Sequence, residues 1–413
     1  MENKKVIVFL TTAIAFATSA VAQKLSQDFE KALLFDPTYQ TAKADYQVGQ
    51  RNIKVAKSVY LPEATFNTQR LATDVTGRTT LTISQPLIDA QRWMTFRQAS
   101  PQHLLAEINL LAKRQDLATR LLKAANAIIL ANENLKLNEA KMEALNQQAL
   151  AAKKKLELGQ GTVTDLRDIE VKASQAKSQQ LSFKTQQKNA LKQYEAITGN
   201  EPVLTSFVMP ITQSIDEFNF YKNFEVLDLK SVPNVLAAIY SIEIAEYEVK
   251  KVKSSFLPAV SAQYSYSKAT GAAISNSYVG VGLTVPLKAG TWYGIEAAES
   301  VVLKARENLR ETESKVRLEA DRLNALIATG IESLRIQNEA IESAKLSVEA
   351  NQQSYQGGVR TAIDVINAIQ TLYQVKSEYI NIITVLSENY LSLLMLDSIE
   401  PDENLKKIPL FSK

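Results

Sequence analysis

DPTYQTAKADYQVGQRNIKVAKSVYLP, Asp36 to Pro62, and VPNVLAAIYSIEIAEYEVKKVKSSFLP, Val232 to Pro258, decide the architecture of this chain. Their prolines are equally spaced, and aligning them superposes Lys54 on Lys250, Lys57-Ser58 on Lys253-Ser254 and Leu61-Pro62 on Leu257-Pro258. Further on, Gln85-Pro86-Leu87 corresponds to Val285-Pro286-Leu287, and Gly159 stands as far from Asp165 as Gly358 does from Asp364. Landmarks recurring in one order read as two copies of one structural unit. The copies run over residues 23–199 and 232–397, joined by a linker at 200–231 and followed by a short charged tail at 398–413.

Each copy opens with a helix, from about Pro37 to Tyr60 and from about Pro233 to Phe256. Proline suits a first helical turn, where its missing N–H would be unpaired anyway. Leu-Pro then ends the helix, because a residue before proline is pushed toward extended geometry. Two short alternating segments follow. Val260, Ala262, Tyr264 and Tyr266 alternate with Ser261, Gln263, Ser265 and Ser267, and Val279, Val281, Leu283 and Val285 alternate with Gly280, Gly282 and Thr284. In the first copy Leu81 and Ile83 alternate with Thr80, Thr82 and Ser84, after a less regular strand from about Ala64 to Leu71. A period of two with one apolar row is the strand signature. Gly77 and Gly271 mark the turns between strands.

A very long helical run comes next, from Asp89 to Glu157 and from Ala289 to Gln356, about 100 Å at 1.5 Å per residue. Apolar residues at spacings of three and four, such as Leu323, Ile327, Ile331 and Leu334, point to coiled-coil packing. After a glycine-containing turn, return helices run from about Asp165 to Thr198 and from about Asp364 to Asp397. Pro101 falls early in the first long helix and predicts a kink there.

Residues 1–22 read as a secretory leader. Lys4 and Lys5 precede an apolar run from Val6 to Ala17, and Ala20-Val21-Ala22 gives the small-x-small cleavage pattern. An uncleaved anchor is the competing reading. Beyond it no uninterrupted apolar stretch approaches the ~20 residues of a spanning helix. Membrane entry would therefore require a closed barrel, the other fold that satisfies its backbone in lipid.

Four strands of about ten residues suit tilted transmembrane strands, with an apolar row for lipid and a polar row for the lumen. Four strands cannot close, so copies of the chain must pool them. Eight strands from a dimer or twelve from a trimer are the first even closures. Tyr60 and Phe256 lie just before the first strand of their copy, and Trp93 and Trp292 shortly after the second. All four sit at one end of the hairpins, where an interfacial aromatic girdle belongs; a small aromatic core under the sheet is the alternative.

Composition excludes other classes. With 47 basic against 44 acidic residues the net charge is +3, which argues against nucleic acid as a partner. Absence of cysteine removes disulfides, thiolate metal sites and thiol nucleophiles. His103, the one histidine, lies beside Pro101 with no nucleophile motif nearby, and neither a phosphate-binding glycine loop nor metal-ligand spacing occurs. The chain reads as a non-enzyme without cofactor or metal.

Over essentially its whole mature length the sequence resembles the TolC-like outer-membrane factor family. The resemblance is carried by Leu61-Pro62, Ser84-Gln85-Pro86-Leu87, Gly159 to Leu166, Ala196-Ile197-Thr198-Gly199, and Tyr355-Gln356-Gly357-Gly358-Val359-Arg360 through Asp364-Val365. It is nearest to the outer-membrane components of type I secretion. The resemblance implies a mainly α fold with a membrane β-barrel: a homotrimer with a twelve-stranded barrel in outer-membrane lipid and a helical tunnel in the periplasm. It also implies docking to a periplasmic adaptor and, through it, to an inner-membrane transporter.

By position, Tyr355 and Arg360 match a tyrosine and an arginine that hold the family's periplasmic entrance shut, and Thr164 and Asp165 match acceptors of that arginine. Asp165 and Asp364 can equally be read as caps of the return helices. Asp364 matches an acid at the tunnel constriction, where three copies would form a negative ring. Asn367 stands where well-known members carry a second acid, so the ring should be less negative here. The rival reading is a periplasmic coiled-coil scaffold or adaptor without a membrane-spanning barrel.

Overall fold

A computed structural model of the chain describes residues 25–70, 77–202, 207, 229–269, 275–286, 290–397, 401–406 and 408. The leader at 1–22, the turn at Gly271, and most of the linker and tail lie outside the described residues. In chain order the elements are α1 (residues 25–35), α2 (Pro37–Ser58), β1 (Glu63–Arg70), β2 (Gly77–Ile88), α3 (Ala90–Glu157) and α4 (Val163–Thr198). Then follow α5 (Pro233–Ser254), β3 (Ala259–Ala269), β4 (Ser275–Thr284), α6 (Thr291–Gln356), α7 (Ala362–Asp397) and α8 (Pro401–Lys406). The helix–hairpin–long helix–return helix order occurs twice.

The chain divides into two compact units. One comprises Thr41–Ala112 and Leu229–Lys315 and holds the sheet. Its strand order is β1-β2-β3-β4, every pair antiparallel, so the two sequence-distant hairpins join through β2 and β3. Phe66 faces Leu81, which faces Tyr266; Ile83 faces Ala64 and Tyr264, and Tyr264 faces Val279. Ala262 with Val281 and Val260 with Leu283 continue the same face. Because side chains alternate along every strand, this register gathers four apolar rows onto one side of the sheet. Thr65, Thr82 and Ser265, with Asn67, Thr80, Ser267 and Asn276, occupy the other, where Tyr278 is the aromatic exception. A register shift between Pro86 and Ile88 interrupts the β2–β3 ladder one pair before its end, beside a proline that cannot donate.

Helical packing within this unit is close. Tyr46 of α2 stacks on His103 of α3 at 5.3 Å between ring centroids, giving the histidine a packing role. A side chain at Gly49 would meet the Ala106 methyl at 3.0 Å. The α3 helix is continuous through Pro101.

The second unit takes the chain up to Gln40, Lys113–Asp228 and Val316 onward. Its core is built on helical spacing: Leu117, Leu121, Leu122 and Ile128 of α3 pack with Leu323, Ile327, Ile331 and Leu334 of α6 and with Ile380, Ile383, Leu386 and Leu391 of α7. Each such side chain, fully buried, contributes about 1.5–3 kcal/mol. The α7 helix is apolar enough over one window to cross a membrane by composition alone, but half of that window is buried against neighbouring helices.

Polar groups fix the lateral register of these helices. Asn126 donates to the Thr384 carbonyl at 3.2 Å and to Ser387 Oγ at 3.0 Å, and Asn138 donates to the Ala176 carbonyl at 3.0 Å. Asp36, between α1 and α2, is buried and takes a two-pronged bond from Arg120 at 2.9 and 3.0 Å, plus the Tyr39 N–H at 2.8 Å. Burial alone would raise this carboxyl; the Arg120 bonds and charge and the Tyr39 N–H overcome it and hold the group below its usual range.

Candidate functional site

Two hairpin turns, α3 to α4 and α6 to α7, carry the residues singled out as a gate. Both are built the same way. The Gly159 N–H donates to the Leu156 carbonyl at 3.0 Å and the Gln160 N–H to the Lys155 carbonyl at 2.8 Å. In the second turn Gly358 donates to Tyr355 at 3.2 Å and Val359 to Ser354 at 2.9 Å. These paired bonds close each helix in a Schellman motif, which needs a left-handed residue. Gly159 (φ 69°) and Gly358 (φ 76°) supply it without the cost a Cβ would add.

The return helices then start by reciprocal capping. Thr162 Oγ1 accepts from the Asp165 N–H at 3.1 Å and donates to the Asp165 carboxylate at 2.7 Å. Thr361 and Asp364 repeat this, with the Thr361 N–H donating to Asp364 at 3.0 Å. The capping residues are thus the threonines, and the aspartates close the box from the third helical position. Reading the aspartates as the caps, and the helices as beginning at 165 and 364, is off by one element of the motif; α4 starts at Val163 and α7 at Ala362. Thr361's backbone and hydroxyl donors lower the Asp364 pKa, and Arg360 adds to this.

Both turns share one core. Leu145 and Ala152 of α3, Ile169 and Ala176 of α4, Tyr355 of α6, and Ala362, Val365, Ile366 and Ile369 of α7 form a single buried cluster. Tyr355 is only 8 % exposed, and burial together with the nearby Asp165 charge pushes its phenol upward. Arg360 is 58 % exposed and lies 3.9 Å from its own Asp364. Among the described residues it makes no bond to Thr164 or Asp165, and Thr164 is exposed without a side-chain hydrogen bond. On α7, Asp364 is half-buried and Asn367 is exposed. Sequence reading passed over Lys155, whose ammonium donates to the Tyr355 carbonyl at 2.6 Å. A contact between residues 200 positions apart leaves no local signal.

In the other unit, the sheet's apolar face is open to its surroundings: Val279 is 81 % and Val281 71 % exposed, with Phe66 and Leu283 similarly bare. Strands β1 and β4 each pair on one side only. The register sets Tyr60, Trp93, Phe256 and Trp292 at one end of the sheet, next to Glu63, Ile88, Ala259 and Thr284. Tyr60 and Trp93 meet edge to face at 6.2 Å and enclose Phe96, a third ring one helical turn after Trp93. Phe256 and Trp292 stay exposed. Gln85 donates to the Tyr60 carbonyl at 2.6 Å and Arg92 to the Val59 carbonyl at 2.9 Å, which pins the corner from helix to strand. No group of residues that could hold a metal ion occurs among the described residues.

Known proteins resemble this chain in sequence and in fold. The chain is 25 % identical over 395 residues to the alkaline protease secretion protein AprF of Pseudomonas aeruginosa, covering 87 % of this chain and 81 % of that one. It is 23 % identical over 415 residues to the proteases secretion protein PrtF of Dickeya chrysanthemi, covering 92 % and 88 %. Among solved structures, the outer membrane protein VceC of Vibrio cholerae shares the fold, with a TM-score of 0.75 at 16 % identity over 92 % of this chain and 97 % of that one. The model of the outer membrane efflux protein family matches residues 29–200 and 227–396. This chain is therefore a member of the outer membrane efflux protein family.

Proposed function

We propose that three copies of this outer-membrane channel close a twelve-stranded barrel over a helical tunnel and form the exit duct of a tripartite export system. The observation that carries the proposal is the sheet: four strands with a continuous apolar face, most exposed on β1 and β4, a largely polar opposite face and two unpaired edges. An open edge in hydrocarbon leaves backbone donors and acceptors unsatisfied at several kcal/mol each, so β1 of one copy must pair with β4 of the next. Three copies give twelve strands. That the family model matches two successive segments supports reading residues 23–199 and 232–397 as copies of one unit; residues 1–22 would serve as the leader.

The relatives named for protease secretion favour type I protein export, in which a periplasmic adaptor links the duct to an inner-membrane transporter. The paired turns serve as its entrance. Tyr355 and Asp165 stand together within one chain, and the exposed Arg360 is free to reach Thr164 and Asp165 of a neighbouring copy. Asp364, repeated threefold with Asn367 beside it, lines the constriction as a ring of one acid per chain. Tyr60, Trp93, Phe256 and Trp292 form the interfacial girdle. The chain performs no chemistry; it supplies a passage.

Native mass spectrometry of the detergent-extracted protein tests the assembly. Three chains per particle, with membranes that retain the protein through carbonate washing, are expected. A dimer or monomer released by carbonate would reject the barrel and favour a periplasmic scaffold.

A further inference from the structure

We propose that Lys155 is a gate-holding residue, fastening the end of α3 to the end of α6 by gripping Tyr355 at both its ring and its carbonyl. The proposal rests on reading the paired turns as the closed entrance. Lys155 Nζ lies 3.7 Å from the Tyr355 ring centroid and donates to the Tyr355 carbonyl at 2.6 Å. A cation is drawn to the negative face of an aromatic ring, and an ammonium–carbonyl bond is charge-assisted. The ring is buried in the cluster shared by both turns, so salt and water screen these contacts less than a surface pair.

Geometry singles this lysine out of its run. Lys153 and Lys154 are exposed and take part in no ion pair among the described residues. Lys155 alone turns toward the second hairpin. The carbonyl it holds also accepts the Gly358 N–H at 3.2 Å, so the ammonium is tied into the hydrogen-bond ring that closes that turn. On the matched backbones of the two turns the side chains differ where it matters. Ser354 occupies in the second turn the place Lys155 has in the first, and Leu156 occupies in the first the place of Tyr355. The link therefore runs one way, from the first hairpin to the second.

Neither contact uses the Tyr355 hydroxyl. That group stays available on the side of Asp165, whose charge it senses. One tyrosine thus serves two separable links, and a hydroxyl deletion should leave the lysine grip in place.

The test is the open probability of the full-length assembled channel in planar bilayers. Lys155→Met keeps the aliphatic stem and removes the cation; it should raise open probability about tenfold, the shift expected from losing one charge-assisted contact. The same increase should appear in a Tyr355→Phe background. Lys155→Arg, which retains the charge, should stay closed; an arginine variant as open as the methionine one would assign the effect to packing and overturn the proposal. If Lys155→Met is as closed as wild type while Arg360→Ala opens, Lys155 is not a gate residue and the entrance reading stands. If none of these variants alters opening, both readings fall. Should Lys155→Met not assemble, Lys155→Gln decides in the same way: opening above wild type supports the grip, and wild-type behaviour rejects it.

Discussion

Adjacent residues on β4 give a sharp test of which sheet face meets lipid. Val279 stands on the apolar face opposite Tyr264, 81 % exposed, in the row that also holds Ala64 and Ile83. Gly280 is its neighbour on the polar face, opposite Gln263, and a Cβ there would meet nothing within 4 Å. Placing lysine at each position compares the same charge, on the same strand, at nearly the same depth. A lysine on the lipid face of a barrel costs about 2–4 kcal/mol near the bilayer midplane and little in the lumen. At 1.4 kcal/mol per factor of ten, Val279→Lys should weaken folding into vesicles by roughly thirty- to seven-hundredfold. Each copy in a closed barrel carries the penalty, so the assembled channel should suffer more than a single chain. The assay is the equilibrium folding yield into phosphatidylcholine vesicles, read by heat-resistant migration. Gly280→Lys should remain near wild type, because there is space and water for the side chain. Equal penalties at the two positions would refute the assignment of faces, and a larger penalty at Gly280 would invert it.

Other consequences are more local. The Asp36 carboxyl lies below its ordinary value of 3.8, so its contribution to stability is complete above that pH and is lost only as pH falls through the lower folded-state value. Asp36→Asn should lower the stability of the helical unit at neutral pH by about 1.5–3 kcal/mol, and the difference from wild type should shrink only on acidification past that range. A melting-temperature gap that stays constant down to the lowest pH would show that Arg120 gains nothing from the charge. Thr162→Ala removes the cap of α4 and should cost about 1 kcal/mol, seen as about fivefold faster hydrogen exchange at the Asp165 amide. Unchanged exchange there would remove the threonine from the capping box.

Much of the molecule was written into local sequence. Proline at the first turn and proline just past the end bound α2 and α5, and alternation defines β3 and β4, because both signals act within a few residues. Helix ends were read less well. Both α2 and α5 stop two residues before Tyr60 and Phe256, since a proline bars the helix from its preceding residue and the fraying turn ends sooner. An acid in the first turn answers the helix dipole wherever it stands there, so Asp165 and Asp364 alone do not locate the cap. The Thr-x-x-Asp spacing, in Thr162 to Asp165 and Thr361 to Asp364, was the stronger clue.

Tertiary facts were out of reach. Nothing local says that β2 pairs with β3, about 180 residues away, rather than with another copy. Phe96 could have been found, since a ring three positions after Trp93 shares its helical face. Lys155 could not, because its partner is chosen by how two hairpins pack and not by neighbours in sequence. Arg360 shows the converse case: the residue is prominent in sequence, yet within one chain it lies 3.9 Å from Asp364 and meets neither Thr164 nor Asp165.

Single-channel current from the purified mature protein, measured under a salt gradient, tests the central claim most directly. Discrete current steps are expected, with a modest cation preference that Asp364→Ala reduces, as the proposed ring of one carboxylate per chain requires. Arg360→Ala should conduct more readily than wild type. An electrically silent wild type accompanied by an equally silent Arg360→Ala variant, both correctly assembled, would contradict a gated outer-membrane duct.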